Sequence, residues 1–476
     1  MLLGIDLGTS SVKAAVMSED GVIQQVATEG YRVGSPAPRW AETDPVDWWV
    51  AARQAVRRLD PKHRRRIEAI GLAGQMHGVV LAHKDGRAVR PAIVWADGRS
   101  VPELRLYRQL SPRLRRLLAN PPATGIAGPT LLWIKAHESS QYRRARWAVQ
   151  PKDWLRWQLT GEVRSEPTDA SATLLYDLVH DEWAQEVLKQ LDIRPDLLPD
   201  LVASAEMAGR LRGKAAEELG LRSGLPIAAG AADTAASLVG HGVLSPGPVL
   251  LTIGTGAQLT SVRARFRPDR GRRTQFYRTV EPGKWYSMAA TLNAGLALDW
   301  VRRLFNIEWE SMYASALRVP PGAGGVTFMP YLVSERTTRF ASNARAHWSG
   351  IGLHHGREHL LRAALEGVAF SLREAMEALE ATGVSTSQLL LAGGGTQGAV
   401  WRQLLADVLN KRLVAVSSPA GTARGAALLA GVSAGIYKTP GDTAAIRVRY
   451  ELAAEPGSES DEYAKLYERY RSTRDR

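Results

Sequence analysis

The sequence contains no cysteine, which excludes disulfide bonds, thiolate nucleophiles and cysteine-ligated metal centres. Its ten histidines form no spacing typical of a metal site, so any metal ion is expected to be a hard cation held by carboxylate and phosphate oxygens. The longest stretch without a charged side chain, between Asp233 and Arg263, is interrupted by glycines and prolines, so no membrane span is predicted. No signal peptide is predicted either, and we expect a cytoplasmic protein.

Size and charge restrict the class of protein. A chain of 476 residues is too long for one hydrophobic core and predicts two or three domains. The net charge of +13 would suit nucleic acid, but the densest basic run, Lys62 to Arg66, is short and has no aromatic residue within it. We interpret the charge as a solvated, arginine-rich surface that also suits an anionic nucleotide, and expect no nucleic-acid or membrane partner.

The start of the chain predicts a meander of three strands followed by a helix and a strand. The three strands cover residues 2–7, 12–17 and 22–28. Asp44-Pro45 is typical of a helix start, and Ile67 to Ala73 is the next strand. This order is that of a ribonuclease-H-like mixed sheet. Residues 248–262 have the same strand, glycine-threonine turn and strand, so the second half is predicted to repeat this opening.

The rest of the second half predicts helices and strands in alternation. A long amphipathic helix is expected at residues 357–382, a strand at 388–391, and a helix around Trp401. Tyr463, Leu466, Tyr467 and Tyr470 have helical spacing, and we expect this tail helix to dock on the body of the protein.

Asp233 lies where a short apolar strand, Pro226 to Ala229, gives way to a helix of small residues, Ala235 to Val239. Two interpretations are open from the residues alone. As an N-cap, the aspartate would accept hydrogen bonds from the first helical turn. As a carboxylate base on the floor of a cleft, it would have the space that the small residues around it leave for a substrate.

Three glycine-threonine loops each follow a predicted strand. They are Gly8-Thr9, Gly254-Thr-Gly256 and Gly393-Gly-Gly-Thr396. Such loops expose backbone amides, and a nucleoside triphosphate needs several of these contacts in one cleft, although the third loop alone is equally typical of a tight turn. Asp6 lies beside the first loop, where a carboxylate near a phosphate requires a divalent cation between them. Asp6 therefore predicts magnesium, with turn-capping before Gly8 as the alternative.

These residues belong to an ordered set of motifs spread over nearly the whole chain. In the first half the motifs are Gly4-Ile-Asp-Leu-Gly-Thr9, Gly74-Gln-Met-His-Gly78, Trp95-Ala-Asp-Gly-Arg99, Pro151-Lys-Asp-Trp154 and Asp233. In the second half they are Gly254-Thr255, Tyr331 with Ser334-Glu-Arg-Thr337, Glu366-Gly367, Gly393-Gly-Gly-Thr-Gln397 and Trp401-Arg-Gln-Leu-Leu-Ala-Asp407. The set resembles the FGGY carbohydrate kinases of the actin-like ATPase superfamily, and within them the members that act on xylulose.

The resemblance implies an α/β fold of two ribonuclease-H-like domains, each with a mixed sheet flanked by helices, and a cleft between them. Residues 1–240 would form an N-terminal FGGY domain with the sugar site and the catalytic base. Residues 241–476 would form a C-terminal FGGY domain that binds the nucleotide and ends in the docking helix. Asp233 matches the catalytic base, Met76 and His77 the sugar-binding residues that act with Asp233, and Asp6 the magnesium aspartate. The residues expected to contact nucleotide and phosphates are Gly8, Thr9, Gly254, Thr255, Gly394 and Gly395.

The implied activity is transfer of the γ-phosphoryl group of ATP to D-xylulose, with Mg²⁺ bound, giving D-xylulose 5-phosphate and ADP. A carboxylate accepts the proton of the sugar hydroxyl as its oxygen attacks in line, and we expect helix amides near Asp233 to keep it ionised. The expected partners are the sugar and ATP, with a homodimer as the assembly if the chain associates.

Three departures from the family pattern leave the sugar open. Thr234 and Ala96 replace asparagines, and Thr130 replaces a lysine. A site that lacks one hydrogen-bonding group discriminates differently between related polyols, so D-ribulose, L-ribulose or a glycerol-like substrate is the alternative. A non-catalytic actin-like nucleotide-binding protein would lack Asp233 or Asp6, and both are present. Nucleic-acid binding has only the charge in its favour, since no binding motif accompanies it.

Overall fold

The computed structural model describes residues 1–333, 345–418, 420–446 and 448–474. Within these residues, each half of the chain is built on a seven-stranded mixed sheet. The motif Ser334-Glu-Arg-Thr337 lies outside the described residues. Within the ranges given above, no helix has both the length and the apolar composition needed to cross a membrane.

The first half contains the following elements. The strands are β1 (Leu2–Leu7), β2 (Ser11–Met17), β3 (Ile23–Gly30), β4 (Glu42–Thr43), β5 (Ala69–Gly74), β6 (Val80–Ala82), β7 (Ala92–Ile93), β8 (Trp147–Val149), β9 (Tyr176–Asp177), β10 (Glu182–Trp183), β11 (Met207–Arg210), β12 (Pro226–Ala228) and β13 (Ala231–Ala232). The helices are α1 (Pro45–Arg57), α2 (Pro61–Arg64), α3 (Leu104–Gln109), α4 (Pro112–Leu118), α5 (Ala127–His137), α6 (Ser139–Arg144), α7 (Pro151–Thr160), α8 (Pro167–Ala170), α9 (Gln185–Gln190), α10 (Gly213–Leu219) and α11 (Asp233–Gly240).

The first sheet has the order β11-β12-β5-β1-β2-β3, and β13 pairs with the end of β5. Strands β1, β2 and β3 are antiparallel neighbours, whereas β5 and β12 run parallel to β1. Side chains alternate across the sheet, so Leu3, Ile5 and Leu7 of β1 enter the same apolar core as α1. Helix α1 begins as predicted, with Pro45 in its first turn and the Asp44 carboxylate accepting from the Val46 amide at 2.9 Å.

The second half contains the following elements. The strands are β14 (Val249–Ile253), β15 (Ala257–Arg263), β16 (Gln275–Arg278), β17 (Trp285–Thr291), β18 (Thr327–Met329), β19 (His347–Ser349), β20 (Gln388–Ala392), β21 (Arg412–Ser417) and β22 (Arg449–Ala454). The helices are α12 (Gly295–Leu304), α13 (Trp309–Ala316), α14 (Arg357–Glu380), α15 (Ala399–Leu409), α16 (Gly421–Ser433) and α17 (Ser460–Arg474).

The second sheet repeats the connectivity of the first. Its order is β16-β17-β15-β14-β20-β21-β22. Strand β14 corresponds to β1, because it pairs with antiparallel β15 on one side, which in turn pairs with antiparallel β17, and has parallel β20 and β21 on the other side. The predicted internal repeat and the predicted pair of ribonuclease-H-like sheets are therefore confirmed.

A helix of the second half covers one face of the first sheet. Helix α16 packs on β1, β5 and α11, and glycines allow the backbones to come close. A β-carbon added to Gly4 would lie 1.8 Å from the carbonyl oxygen of Ala423, and one added to Gly71 would lie 1.9 Å from that of Ala426. Any larger side chain at either glycine would push α16 away from the sheet.

The C-terminal helix α17 docks on the second half, as predicted. Tyr463, Tyr467 and Tyr470 are buried in the same apolar core as Phe370 of α14. The Tyr467 hydroxyl donates to a carboxylate oxygen of Glu377 at 2.8 Å, so each tyrosine buries its ring while its polar end keeps a partner.

Candidate active site

The register of three neighbouring strands places Asp6 and the start of α11 at the same edge of the first sheet. Asp6 of β1 lies opposite Ala73 of β5, and Ala231 of β13 lies opposite Ala73 on the other side. Neighbouring strands are about 4.8 Å apart, so Asp6 and Ala231 are separated by about 10 Å. Asp233 follows two residues later as the first residue of α11, and its carboxylate therefore shares this edge with that of Asp6.

The Asp233 carboxylate does not cap its helix. The N-cap is Ala232, so the N-cap interpretation is wrong because α11 begins at Asp233 itself. Oδ1 of Asp233 accepts from the Thr234 amide at 2.6 Å and lies 3.2 Å from the Thr234 hydroxyl. Burial raises the pKa of Asp233 to about 6, although both contacts with Thr234 lower it. The predicted effect of a helix amide is present, but burial outweighs it, and the carboxylate is mostly ionised only above about pH 6.

Asp6 carries a half-buried carboxylate that no group in the described residues meets with a hydrogen bond. Burial and the nearby Asp233 carboxylate raise the pKa of Asp6 to about 7, while Lys13 lowers it. Within the described ranges, no three histidine, aspartate or glutamate side chains form a metal cluster. The acidic groups at this edge therefore fit a hard cation that takes most of its ligands from water and phosphate, as Mg²⁺ does.

The loop after β1 is held by hydrogen bonds from the first half. The Gly8 amide donates to the Ser11 carbonyl at 3.0 Å, so it closes the β1–β2 turn. Trp95 Nε1 donates to the Thr9 hydroxyl at 2.8 Å, which fixes the Thr9 side chain. The sequence did not predict the hydrogen bond that uses the Gly8 amide within the turn.

The glycine loops of the second half border a cavity of about 710 Å³, a size typical of small-molecule sites. The predicted nucleotide residues among its lining are Gly254, Thr255, Gly394 and Gly395. The Trp309 and Tyr313 rings stack at 6.1 Å on another wall, where a planar base would find an aromatic surface. Gly8 and Thr9 do not line this cavity, so the structure separates the predicted nucleotide residues into two groups.

Met76 and His77 lie in a turn after β5 and face aromatic residues of the second half. His77 has a left-handed backbone with φ of 74°, and its Nδ1 lies 2.8 Å from the Ala172 carbonyl oxygen. The Tyr286 hydroxyl donates to the Met76 sulfur at 3.7 Å, and the His77 and Tyr277 rings lie 5.8 Å apart. The predicted sugar-binding pair is thus enclosed between the two halves rather than exposed on one of them.

Thr234 connects the Asp233 carboxylate to the second half. Its hydroxyl lies 3.2 Å from Asp233 Oδ1 and 3.2 Å from Oε1 of Gln258 on β15. Gln258 was not among the predicted site residues. The sequence shows only that Gln258 follows Gly256 by two residues on a predicted strand. Which face of that strand is directed towards the first half depends on how the second sheet is assembled.

A group of buried charges lies behind the strand that leads to Asp233. We call it the buried charge cluster, and it consists of Lys152, Asp153, Arg156, Glu166 and Asp169. Lys152 Nζ lies 2.6 Å from Asp153 Oδ1 and 3.3 Å from Asp169 Oδ2. Burial raises the pKa of Asp169 well above its usual range, and the other two acids raise it further although Lys152 lowers it. Lys152 and Asp153 belong to the family motif Pro151-Lys-Asp-Trp154, but the sequence does not predict that they form a buried cluster.

The buried charge cluster holds the backbone on both sides of the Gly230 turn. Arg156 Nη1 donates to the Ala229 carbonyl at 2.6 Å, and Lys152 Nζ lies 3.3 Å from the same oxygen. The Ala232 amide donates to the Thr168 hydroxyl at 2.8 Å, which in turn donates to Glu166 at 2.7 Å. Buried charged side chains therefore hold Ala229 directly and Ala232, the residue before Asp233, through the Thr168 hydroxyl.

Comparisons with known proteins agree with this architecture. The family model for the N-terminal domain of the FGGY family of carbohydrate kinases matches residues 1–240, and that for the C-terminal domain matches residues 249–434. Xylulose kinase of Bacillus subtilis (strain 168) is 32% identical over 478 residues, covering 99% of this chain and 96% of its own. Xylulose kinase of Escherichia coli (strain K12) is 34% identical, covering 92% and 91%. The crystal structure of a "xyloylose kinase" from Brucella ovis matches with a TM-score of 0.90 and 32% identity, covering 99% of this chain and 98% of that one.

Proposed function

Because the chain belongs to the FGGY family of carbohydrate kinases and is an ATP-dependent sugar kinase, we propose that it converts D-xylulose to D-xylulose 5-phosphate. The choice of sugar is supported by the relatives from Bacillus subtilis and Escherichia coli, which are named xylulose kinases. The observation that carries the proposed chemistry is the Asp233 carboxylate, with a pKa of about 6, at the edge of a site enclosed by both halves.

Asp233 is the general base in this proposal. The carboxylate accepts the proton of the terminal sugar hydroxyl as that oxygen forms a bond to the γ-phosphorus of ATP. The bond between the γ-phosphorus and the bridging oxygen breaks, and ADP leaves with the electron pair. A base near its pKa at working pH is suited to this proton transfer, which contributes roughly 10²–10⁴-fold to the rate.

The sugar lies against Met76 and His77 in this proposal, with its terminal hydroxyl directed to Asp233. The hydrogen bond from His77 to Ala172 supports this role because it fixes the imidazole ring in one orientation. Residues 1–240 accordingly form the sugar-binding domain and residues 241–476 the nucleotide-binding domain. The polar groups that hold the sugar come mainly from the first of them.

The nucleotide occupies the cavity of the second half in this proposal. Gly254, Thr255, Gly394 and Gly395 approach it, and the phosphates extend towards Gly8 and Thr9 of the first half. Asp6 would hold Mg²⁺, which offsets negative charge on the phosphates when it is bound. The Asp6 carboxylate is suited to this because no protein group in the described ranges donates to it.

The experiment that tests the function measures ADP release with ATP and Mg²⁺ against D-xylulose, D-ribulose, L-ribulose, glycerol and no sugar. We expect D-xylulose to give the highest kcat/KM, and Asp233→Asn to abolish sugar-dependent release while the protein stays folded. A higher kcat/KM for another sugar would show that D-xylulose is not the preferred substrate, while the kinase assignment would stand. Near-normal turnover by folded Asp233→Asn would show that Asp233 is not the base.

A further inference from the structure

Gln258 lies on the face of the second sheet that is directed towards the first half. On β15 it alternates with Leu259, which enters the core of the second half, so it shares a face with Val262. Val262 belongs instead to the apolar cluster that also contains Met76 and Ala235 of the first half. The carboxamide of Gln258 is therefore placed at the boundary between the halves.

The two ends of the Gln258 carboxamide have different surroundings. Oε1 accepts from the Thr234 hydroxyl at 3.2 Å, and that hydroxyl also lies 3.2 Å from Asp233 Oδ1. Nε2 donates to no group among the residues that the structure describes, and the Gln258 side chain is only half-buried. A primary amide has two N–H donors, so Gln258 presents both of them to the site next to the carboxylate.

The hydroxyl proton of Thr234 is already engaged by protein acceptors. A hydroxyl has one proton to donate, and here two acceptors, the Asp233 carboxylate and the Gln258 carbonyl oxygen, compete for it. Thr234 is buried, with 4% of its surface exposed, so it has little room to meet a ligand. The Gln258 amide, joined to the Asp233 carboxylate through Thr234, is consequently a donor beside Asp233 that a sugar can reach.

The sheet face that carries Gln258 also carries Tyr286, which contacts the site at its Met76 end. Tyr286, which donates to the Met76 sulfur, lies opposite Val262 on β17, four residues along β15 from Gln258. At roughly 3.3 Å per residue, this separates the two positions by about 13 Å along the strand. An open-chain sugar with one end at Met76 and the other at Asp233 would pass in front of this face and end beside Gln258.

We propose that Gln258 is a specificity-determining residue whose Nε2 donates to the sugar hydroxyl next to the one that is phosphorylated. This inference rests on the proposed function, in which the O5 hydroxyl of D-xylulose reacts at Asp233. The neighbouring hydroxyl is then that on C4. Gln258 distinguishes sugars by their configuration at C4, because a hydroxyl on the opposite side of that carbon leaves the amide without its acceptor.

The test compares two ratios of kcat/KM. L-ribulose differs from D-xylulose only at C4, and D-ribulose differs from it only at C3. In Gln258→Met, which keeps the length of the side chain without the amide, we expect the D-xylulose to L-ribulose ratio to fall by about tenfold. The D-xylulose to D-ribulose ratio and the KM for ATP should stay within about twofold of wild type. A substitution that only disturbed the structure would lower kcat/KM for all three sugars together and leave both ratios unchanged.

Two further variants complete the test. Gln258→Glu keeps an acceptor for Thr234 but has no N–H donor, so it should lose C4 discrimination as Gln258→Met does. Gln109→Leu, on the exposed end of α3, should leave both ratios unchanged. The inference is overturned if wild type does not distinguish the C4 epimers, or if either Gln258 variant keeps its C4 ratio. Wild-type protein without sugar-dependent ADP release would overturn the proposed function, and this inference with it.

Discussion

Asp6 and Asp233 are separated by a single strand, and the negative charge of Asp233 raises the pKa of Asp6. Two carboxylates therefore share one edge of a sheet where burial already disfavours their ionised forms. Such a pair opposes folding when both groups are ionised, and it favours ligands that bring positive charge or donate hydrogen bonds.

Activity is expected to fall in acid with an apparent pKa of about 6. Asp233 must be ionised to accept a proton, and its pKa is about 6, so kcat/KM for the sugar should decrease about tenfold for each pH unit below this value. The measurement is kcat/KM between pH 5 and 8.5 at saturating ATP and magnesium. Thr234→Val removes one donor to the carboxylate and should move the apparent pKa upwards, whereas Thr234→Ser should not. A profile that stays flat to pH 5 would contradict the assignment.

Asp233→Asn is expected to make the protein more stable at neutral pH while it abolishes turnover. The pKa of Asp233 is raised from 3.8 to about 6 on folding, so stability is lost as the pH rises between these two values and the whole cost is present above the folded value. Because the side chain is partly exposed, the gain should be about 1–2 kcal/mol at pH 7.5. The measurement is the unfolding midpoint at pH 7.5 and at pH 5. If the stability difference between Asp233→Asn and wild type were as large at pH 5 as at pH 7.5, the stabilisation would have another cause.

Lys152→Met is expected to cost about 3–5 kcal/mol of stability, because it leaves buried carboxylates with Arg156 as their remaining cation. The measurement is urea unfolding at pH 7.5. Lys214→Met, on an exposed part of α10, is the matched control and should change stability by less than about 0.5 kcal/mol. Adding Asp169→Asn to Lys152→Met should restore part of the loss. Equal effects of the two lysine substitutions would show that the buried charge cluster does not need Lys152.

Gly394→Val and Gly393→Ala are expected to fail in different ways. A β-carbon on Gly394 would meet no atom within 4 Å, so valine should fold normally and raise the KM for ATP by occupying the cavity. Gly393 has φ of 95°, and a β-carbon there would lie 2.3 Å from the Ile253 carbonyl oxygen, so alanine should lower stability. Thermal unfolding and ATP kinetics of both variants are the measurements. An unchanged KM for ATP in Gly394→Val would place the nucleotide elsewhere.

Local patterns in the sequence were sufficient for the architecture. The first strands of the meander are short, largely apolar runs bounded by turns, and Asp44 before Pro45 is a helix start that depends only on its neighbours. The repeat of this opening after Pro248 indicated the second sheet before any contact was known. Signals of this kind are readable because the forces that produce them act within a few residues.

The details of the site depend on contacts that the sequence does not specify. The start of α11 at Asp233 is set by the short pairing of Ala231 with β5, not by a capping preference. Charged residues such as Lys152 and Arg156 are usually exposed, and their burial depends on contacts with Ala229, more than seventy residues later in the chain. Gln258 became a site residue only because the face of β15 on which it lies is directed towards the first half.

The glycine contacts of α16 restrict how this protein could recombine with its relatives. A chimera joined near residue 240 would place a foreign helix on the Gly4 and Gly71 backbone, where there is no room for a displaced carbonyl. Exchange of whole halves therefore requires that the helix at residues 421–433 follows the same backbone path over the N-terminal sheet. The packing unit of this sheet is not contiguous in the gene.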